Sequence, residues 1–205
     1  MVVDAIVLTG GRSSRLGSTP KSELIFDGET LLRRTLRAAG AARCAVVVGP
    51  ELEGLPAGVL HSREDPPFGG PVAGIAAGMA ALTTFSVAAS DAVLVLACDM
   101  PHIHLAIPLL LHGLAEHPES DGVIAVDTEQ RRQPLAATFR TRRLSAVLAA
   151  RSRAEPLAGM AMFRLLDGLT LIPIPMPARA TADVDTWEDA RHLGVSRPIS
   201  SPTTT

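Results

Sequence analysis

The chain begins with the stretch Ala5-Ile6-Val7-Leu8-Thr9-Gly10-Gly11-Arg12-Ser13-Ser14-Arg15-Leu16-Gly17. Four apolar residues run into a pair of glycines, which predicts a buried strand that ends in a turn. Glycines let backbone N–H groups approach phosphate oxygens, because no Cβ stands in the way. Arg15 and the later Lys21 add the positive charge that backbone dipoles alone cannot supply. The stretch therefore predicts a nucleoside triphosphate site at the carboxyl end of a first parallel strand.

Two common phosphate-binding loops do not fit this stretch. A P-loop requires Gly-Lys followed by Ser or Thr at the head of a helix, and neither Gly10-Gly11 nor Gly17 is followed by lysine. A dinucleotide-binding loop requires the spacing G-x-G-x-x-G, which these glycines do not have. A strand-to-helix turn that merely needs small residues is the plain structural alternative.

Length and composition predict a single folded domain without nucleic-acid or membrane partners. The 205 residues are 47% hydrophobic and 20% charged, and the net charge is −2. These values exclude bulk disorder and give no general attraction for nucleic acid. We find no apolar run of about 20 residues and no basic leader, so we expect neither a membrane span nor a secretion signal. Cys44 and Cys98 lie in apolar runs and are expected to be buried thiols of a cytoplasmic protein.

Alternating strand and helix patterns predict a three-layer α/β/α sandwich with a mostly parallel, Rossmann-like sheet. The predicted strands cover 5–8, 44–48, 92–97, 122–126, 135–139 and 171–174. Helices are predicted over 31–39, 71–82, 106–114, 142–150 and 157–166, and a last one is expected to follow Thr186. One domain should span 1–195, and the Ser/Thr/Pro-rich segment 196–205 should be a disordered tail.

A buried strand at 93–97 leads directly to Asp99, and Pro101 stops the strand immediately afterwards. Ligands of open α/β sheets bind outside the carboxyl ends of the strands, so Asp99 should share a rim with Gly10 and Gly11. Mg²⁺ takes one or two carboxylates together with phosphate oxygens, which makes Asp99 a candidate ligand. The alternative is that Asp99 caps the helix that follows.

Two further acidic segments are candidates for the same site. Asp65 precedes a Pro-Pro and Gly-Gly loop and could accept hydrogen bonds from a base or ribose, although an aspartate before proline also forms turns. Asp183 and Asp185 alternate on a short extended segment, so their side chains should point the same way. One of them could complete the metal site, with Asp185 as the first candidate, or both carboxylates could simply place negative charge at the N-terminus of the last helix.

Together these pieces resemble the molybdenum cofactor guanylyltransferase family, the MobA-like nucleotidyltransferases of the nucleotide-diphospho-sugar transferase type. The resemblance runs from Ala5 to about Leu193 and rests on several short motifs. These are L-x-G-G-x-S-S-R-x-G with its later lysine, D-G-x-x-L-L-R-R, G-P-V-A-G-I, A-C-D-M-P, Q-P-L-A and D-V-D-T-x-E-D.

The resemblance implies a site for GTP and Mg²⁺. The implied nucleotide ligands are Leu8, Thr9, Gly10, Lys21, Asp65 and Asp99, and Gly11 and Ser13 of the first loop join them. Asp99 would also bind the metal. The implied reaction transfers GMP from GTP to the molybdenum–molybdopterin cofactor and releases pyrophosphate, with enzymes that deliver and accept the cofactor as partners. Arg15, Lys21 and Asp99 would be the catalytic groups, because they offset repulsion between anions and stabilise the leaving group.

Other functions remain open from the sequence alone. A cytidylyltransferase for molybdopterin or another phosphorylated acceptor is the nearest rival, because guanylyl members often have asparagines where Asp183 and Asp185 stand. A nucleotide-binding regulatory module without turnover is a rival of another class. Arg131 and Arg132 could meet an acceptor phosphate or form a solvated turn. His102 and His104 do not have a spacing typical of a zinc site.

Overall fold

A central seven-stranded sheet organises the molecule in this computed structural model, which describes residues 1–10, 16–17, 19–85 and 88–198. The strands are β1 (Val3–Leu8), β2 (Ile25–Phe26), β3 (Glu29–Thr30), β4 (Ala45–Val48), β5 (Leu60–Ser62), β6 (Ala92–Ala97), β7 (Gly122–Val126), β8 (Arg132–Arg140) and β9 (Leu171–Pro175). Strands β2 and β3 form a separate hairpin. The order in the large sheet is β5-β4-β1-β6-β8-β7-β9.

Within this sheet, β8 runs antiparallel to its neighbours β6 and β7, and the other pairs are parallel. The carboxyl ends of β1, β4, β5 and β6 therefore lie along one edge, where a ligand crevice is expected. The mostly parallel sheet confirms the predicted fold class.

Six α-helices are present among the described residues. They are α1 (Leu31–Ala38), α2 (Pro71–Phe85), α3 (Ala106–Glu116), α4 (Thr141–Ala154), α5 (Met162–Leu166) and α6 (Trp187–Leu193). Short 3₁₀ turns occupy Lys21–Glu23 and Ile103–Leu105. Thr30 caps α1 with its side chain, and Thr186 with Asp189 forms a capping box on α6, as the sequence predicts. None of the described helices is long and apolar enough to cross a membrane.

Apolar side chains on both faces of the sheet produce the three layers. Ile6, Leu8 and Val95 face one layer, where α2, α4 and α5 pack. Alternating residues such as Ala5 and Leu94 face the other layer with α3, and α1 covers the adjoining strands there. Alternation along buried strands dictates this division, because successive side chains point to opposite faces. Cys44 and Cys98 are buried and not disulfide-bonded, and burial raises the pKa of both thiols.

Two differences from the predicted elements stand out. Helix α5 is shorter than the predicted 157–166, because Gly159 adopts a left-handed φ of 77° and its N–H donates to the carbonyl of Gly69 at 2.7 Å. Strand β5 was not predicted, since its residues form no continuous apolar run and are only partly buried. Its pairing with β4 extends the sheet by one edge strand.

A small second core joins segments near the two ends of the chain. Its buried side chains are Leu16, Leu24, Phe26, Leu31, Val184, Ala190 and Val195. Ser196 and Ile25 exchange two backbone hydrogen bonds, of 2.8 and 3.0 Å. The packed chain therefore reaches Ser196, one residue beyond the predicted boundary of the tail, while 199–205 lie outside the described residues.

Candidate active site

A cavity of about 280 Å³ opens at the carboxyl ends of the central strands. Leu8, Thr9 and Gly10 after β1 line it, and so do Ala97, Cys98 and Asp99 at the end of β6. Gly70, Pro71 and Gly74 from the start of α2 form another wall. Because α2 begins at this wall, the positive end of its dipole lies beside the cavity, where it favours an anion.

Thr9 fixes the first loop against the end of β4. Its backbone N–H donates to the carbonyl of Val48 at 2.9 Å, and its hydroxyl donates to the same oxygen at 3.1 Å. This close approach requires Gly49, where an added Cβ would lie 2.3 Å from Thr9 Oγ1. The structure thus places Leu8, Thr9 and Gly10, three of the predicted nucleotide ligands, at the cavity. Gly11, Ser13 and Arg15 lie outside the described residues.

Lys21 lies at the centre of the charged groups and is the single lysine of the sequence. Its Nζ donates to Asp99 Oδ2 at 2.7 Å and to Asp185 Oδ1 at 2.5 Å. Burial by itself lowers the pKa of Lys21, but the charges and hydrogen bonds of the two carboxylates outweigh burial and raise it overall. Lys21 is therefore a permanent ammonium at neutral pH.

Three carboxylates converge beside this ammonium. One oxygen from each of Asp99, Asp183 and Asp185 lies within 4.8 Å of the other two. The backbone brings them together, because the N–H of the buried Val184 donates to the carbonyl of Asp99 at 3.1 Å. Burial raises the pKa of Asp183, and the negative charges of Asp99 and Asp185 raise it further. We refer to Asp99, Asp183 and Asp185 as the aspartate cluster.

The aspartate cluster suits a hard divalent cation. Its donors are all carboxylate oxygens, which Mg²⁺ and Mn²⁺ prefer. Asp99 Oδ1 is buried and has no hydrogen-bond partner within the described parts of the chain. A buried carboxylate oxygen without a partner is unfavourable unless a ligand compensates it, so this oxygen fits a metal ligand. The predicted metal residues Asp99 and Asp185 are both here, and Asp183 is the additional one.

Glu64 takes the place at the cavity that was predicted for Asp65. Glu64 is buried and lines the cavity, and its Oε1 accepts from the N–H of Phe68 at 3.1 Å. Asp65 is exposed and borders a different groove beside α2. The loop after β5 therefore brings the carboxylate of Glu64, and not that of Asp65, to the cavity.

The remaining polar candidates do not join the aspartate cluster. The ring of His102 contacts the ring of Phe26 edge-on at 5.1 Å, and burial lowers the pKa of His102. Among the residues that the structure describes, the carboxylates of the aspartate cluster form the group that could hold a metal ion. Arg131 is exposed and donates to Asp127 Oδ2 at 2.9 Å, which fits a solvated turn.

The chain matches the model of a known protein family. The model of the MobA-like NTP transferase domain matches residues 5–167, which is most of the chain. A curated relative, the molybdenum cofactor guanylyltransferase of Pseudomonas fluorescens (strain SBW25), is 34% identical over 102 residues. That match covers 48% of this chain and 48% of the relative, so it spans about half the length of each.

Two solved structures share the whole fold at low sequence identity. The molybdopterin-guanine dinucleotide biosynthesis protein A of Archaeoglobus fulgidus is 21% identical, with a TM-score of 0.66 over 93% of this chain and 96% of that one. The 2-C-methyl-D-erythritol 4-phosphate cytidylyltransferase of Francisella tularensis is 14% identical, with a TM-score of 0.72 over 95% and 99%. At these identities the likeness supports the fold alone.

Proposed function

The chain belongs to the MobA-like NTP transferase domain family, and we propose that it is a divalent-metal-dependent nucleotidyltransferase that transfers GMP from GTP to the molybdenum–molybdopterin cofactor. The observation that carries the proposal is the contact of Lys21 with Asp99 and Asp185 beside the cavity. A fixed ammonium and a cluster of carboxylates, next to a glycine-bearing loop and a helix start, suit a metal-bound triphosphate.

Each part of the site has a separate task in binding. The loop of Leu8, Thr9 and Gly10 and the start of α2 would hold phosphate oxygens through backbone N–H groups. Lys21 would neutralise charge on the triphosphate, and Arg15 would assist from the same loop. The buried carboxylate of Glu64 is available to accept hydrogen bonds from the nucleoside.

The aspartate cluster would hold the metal, with Asp99 as the central ligand. When it is bound there, a divalent cation offsets negative charge on the phosphates and acts as a Lewis acid. The cluster supplies oxygen donors for it, and Lys21 keeps two of the carboxylates oriented. Three carboxylates and one ammonium leave two negative charges, which one divalent cation neutralises.

The reaction needs no nucleophile from the protein. An oxygen of the acceptor's phosphate attacks the α-phosphorus of GTP, and the bond from this phosphorus to the oxygen that bridges to the β-phosphorus breaks. Pyrophosphate leaves with that bonding electron pair, and a guanine dinucleotide form of the cofactor remains. The chain contributes by positioning and by stabilising charge, since attack of one anion on another is otherwise opposed by repulsion.

A cytidylyltransferase activity is the second candidate. Asp183 and Asp185 occupy positions where guanylyl members often have asparagine, and the fold is shared with the Francisella tularensis cytidylyltransferase. Transfer of CMP would use the same phosphate loop, metal ligands and lysine. The two candidates therefore differ in the recognition of the base.

Ligand-dependent thermal stability tests the proposal and separates the two candidates. A ligand present at 100 times its Kd stabilises the folded protein by about 2.7 kcal/mol, which raises the melting temperature measurably. In the presence of Mg²⁺, we expect GTP to raise the melting temperature more than CTP, ATP or UTP do. Lys21→Met should weaken this binding roughly 10- to 100-fold, since a charge-assisted hydrogen bond contributes about 1.5–3 kcal/mol. Lys21→Arg is the matched control that keeps the charge.

Pyrophosphate release in the presence of molybdopterin cofactor then distinguishes turnover from binding. Selective stabilisation by CTP would move the protein to the cytidylyl candidate. If the protein binds a triphosphate but releases no pyrophosphate, either with molybdopterin cofactor or with another phosphorylated acceptor, a nucleotide-binding regulatory module is favoured instead.

A further inference from the structure

Phe68 is an aromatic residue held exposed at the mouth of the cavity. It lines the cavity, yet 54% of its surface is accessible to solvent. Its φ of 62° is in the left-handed region, which is uncommon for a bulky residue other than glycine. Such outliers cluster at ligand sites, so this one suggests a functional constraint.

The loop that carries Phe68 is anchored at several points. The carboxylate of Glu64 accepts the N–H of Phe68 at 3.1 Å, and the N–H of Gly159 donates to the carbonyl of Gly69 at 2.7 Å. An added Cβ at Gly69 would lie 3.0 Å from Ala73 Cβ and 3.0 Å from the carbonyl oxygen of Pro66, so the loop packs tightly on α2. The aromatic ring is consequently presented by a fixed backbone.

Phe68 lines the same cavity as the charged groups Lys21 and Asp99. Glu64 and Phe68 follow β5, whereas Asp99 follows β6, and β4 and β1 lie between these two strands in the sheet. Leu8, Val48 and Gly74 also line the cavity. A triphosphate bound at Lys21 and the aspartate cluster would extend its base towards Phe68.

We propose that Phe68 is the aromatic platform on which the nucleobase stacks. The inference rests on the proposed function and identifies which residue makes this site bind a nucleoside triphosphate more tightly than a bare triphosphate. Stacking of a base on an aromatic ring is tolerant of base identity, because every base has a π-face. Purines offer the larger face, so the contribution should be larger for GTP and ATP than for CTP and UTP.

The test compares GTP with inorganic tripolyphosphate, both with Mg²⁺, by calorimetry on the full chain. Phe68→Ala should weaken GTP binding by roughly 10- to 100-fold and change tripolyphosphate binding by less than about twofold. Phe68→Leu, which keeps apolar bulk, should resemble Phe68→Ala. In turnover, the KM for GTP should rise while kcat stays close to the wild-type value, because stacking acts equally on the ground and transition states.

Two further variants make the test independent of folding. Phe163→Ala removes another exposed phenylalanine, on α5 and absent from the cavity lining, and should leave both affinities unchanged. Phe68→Trp should bind GTP at least as well as the wild type, and GTP should quench its added fluorescence. The wild type, with its single Trp187, gives the baseline.

Equal loss of GTP and tripolyphosphate affinity in Phe68→Ala, or no loss at all, would overturn the stacking role and leave the proposed function standing. Failure of the wild type to bind any nucleoside triphosphate would overturn both proposals.

Discussion

Lys21 is bonded to carboxylates that lie 78 and 164 positions away in the sequence. The ammonium therefore holds together three segments whose negative charges would otherwise repel one another. Asp183 is the third member of the aspartate cluster, and burial and its two acidic neighbours raise its pKa. Charge repulsion at this residue is the cost of assembling a site for a divalent cation.

We expect Asp183→Asn to raise the melting temperature of the metal-free protein at pH 7. A carboxyl group whose folded pKa lies above its unfolded value of about 3.8 favours folding at lower pH, and this contribution is lost as the pH rises through the folded pKa. The neutral amide of Asp183→Asn does not ionise, so the variant avoids this loss of stability at pH 7. The gain over wild type should shrink as the pH falls from 7 towards 4, with EDTA present throughout.

Asp167→Asn, at an exposed position outside the aspartate cluster, is the matched control for the exchange of a carboxylate for an amide. The prediction for Asp183 would be contradicted if the gain stayed constant or grew as the pH fell. Mn²⁺ binding to Asp183→Asn should weaken in the same experiment series, because a charged oxygen donor is lost.

For residues 64 and 65, the sequence does not indicate which of the two side chains lines the cavity. In the sequence, the acidic pair Glu64 and Asp65 directly precedes a Pro-Pro and Gly-Gly loop. Which carboxylate enters the cavity depends on the path of the loop after β5, and β5 has too little apolar character to be recognised from the sequence. Asp99 was predictable because its strand is a continuous apolar run that fixes where the chain emerges.

At the scale of elements, the start of α6 connects helix capping with the site. Asp189 Oδ2 accepts from the N–H of Thr186 at 2.7 Å and from the N–H of Asp185 at 3.2 Å. The Thr186 hydroxyl accepts from the N–H of Asp189 at 3.2 Å, which completes the capping box. The same carboxylate that caps the helix thus fixes the backbone of Asp185, a member of the aspartate cluster.

We expect Thr186→Ala to lower the free energy of unfolding by about 1 kcal/mol, because one N–H at the helix start loses its acceptor. Urea denaturation measures this change. Mn²⁺ affinity should also fall, since Asp185 is held less firmly. Thr186→Ser keeps the hydroxyl and should behave like the wild type. An unchanged Mn²⁺ affinity in Thr186→Ala would show that the helix cap does not position the aspartate cluster.

Long apolar elements were predictable, and the exceptions have local causes. Strands β1, β6 and β7 are buried throughout, so their composition alone identifies them. Helix α5 was predicted too long because the left-handed Gly159 and its hydrogen bond to Gly69 keep 157–161 outside the helix. The contact of Gly159 with a loop 90 positions earlier is tertiary, and local periodicity carries no signal of it.

For the whole molecule, the second core is the part that local sequence patterns do not indicate. In this core, α6 and Val195 pack against the segment from Leu16 to Leu31. Lys21 lies in this segment, between Leu16 and Leu24, and its partner Asp185 directly follows Val184 of the same core. The geometry of the site therefore depends on the docking of the last helix.

Truncation tests this dependence. A chain that ends at Pro198 should match the full chain in stability and Mn²⁺ affinity. A chain that ends at Gly194 should lose about 2 kcal/mol or more, because it lacks the buried Val195 and the pairing of Ser196 with Ile25. Equal stability of the two truncated chains would show that the second core does not need these residues.

The presence of a single lysine has a practical consequence for following this protein in solution. A protease that cleaves only after lysine has one target bond in the chain, between Lys21 and Ser22, and Ser22 is buried. Cleavage requires local opening of the segment, so the rate of appearance of the two fragments measures how often the site opens. The same uniqueness means that a reagent selective for side-chain amines can modify the folded protein only at its candidate active site.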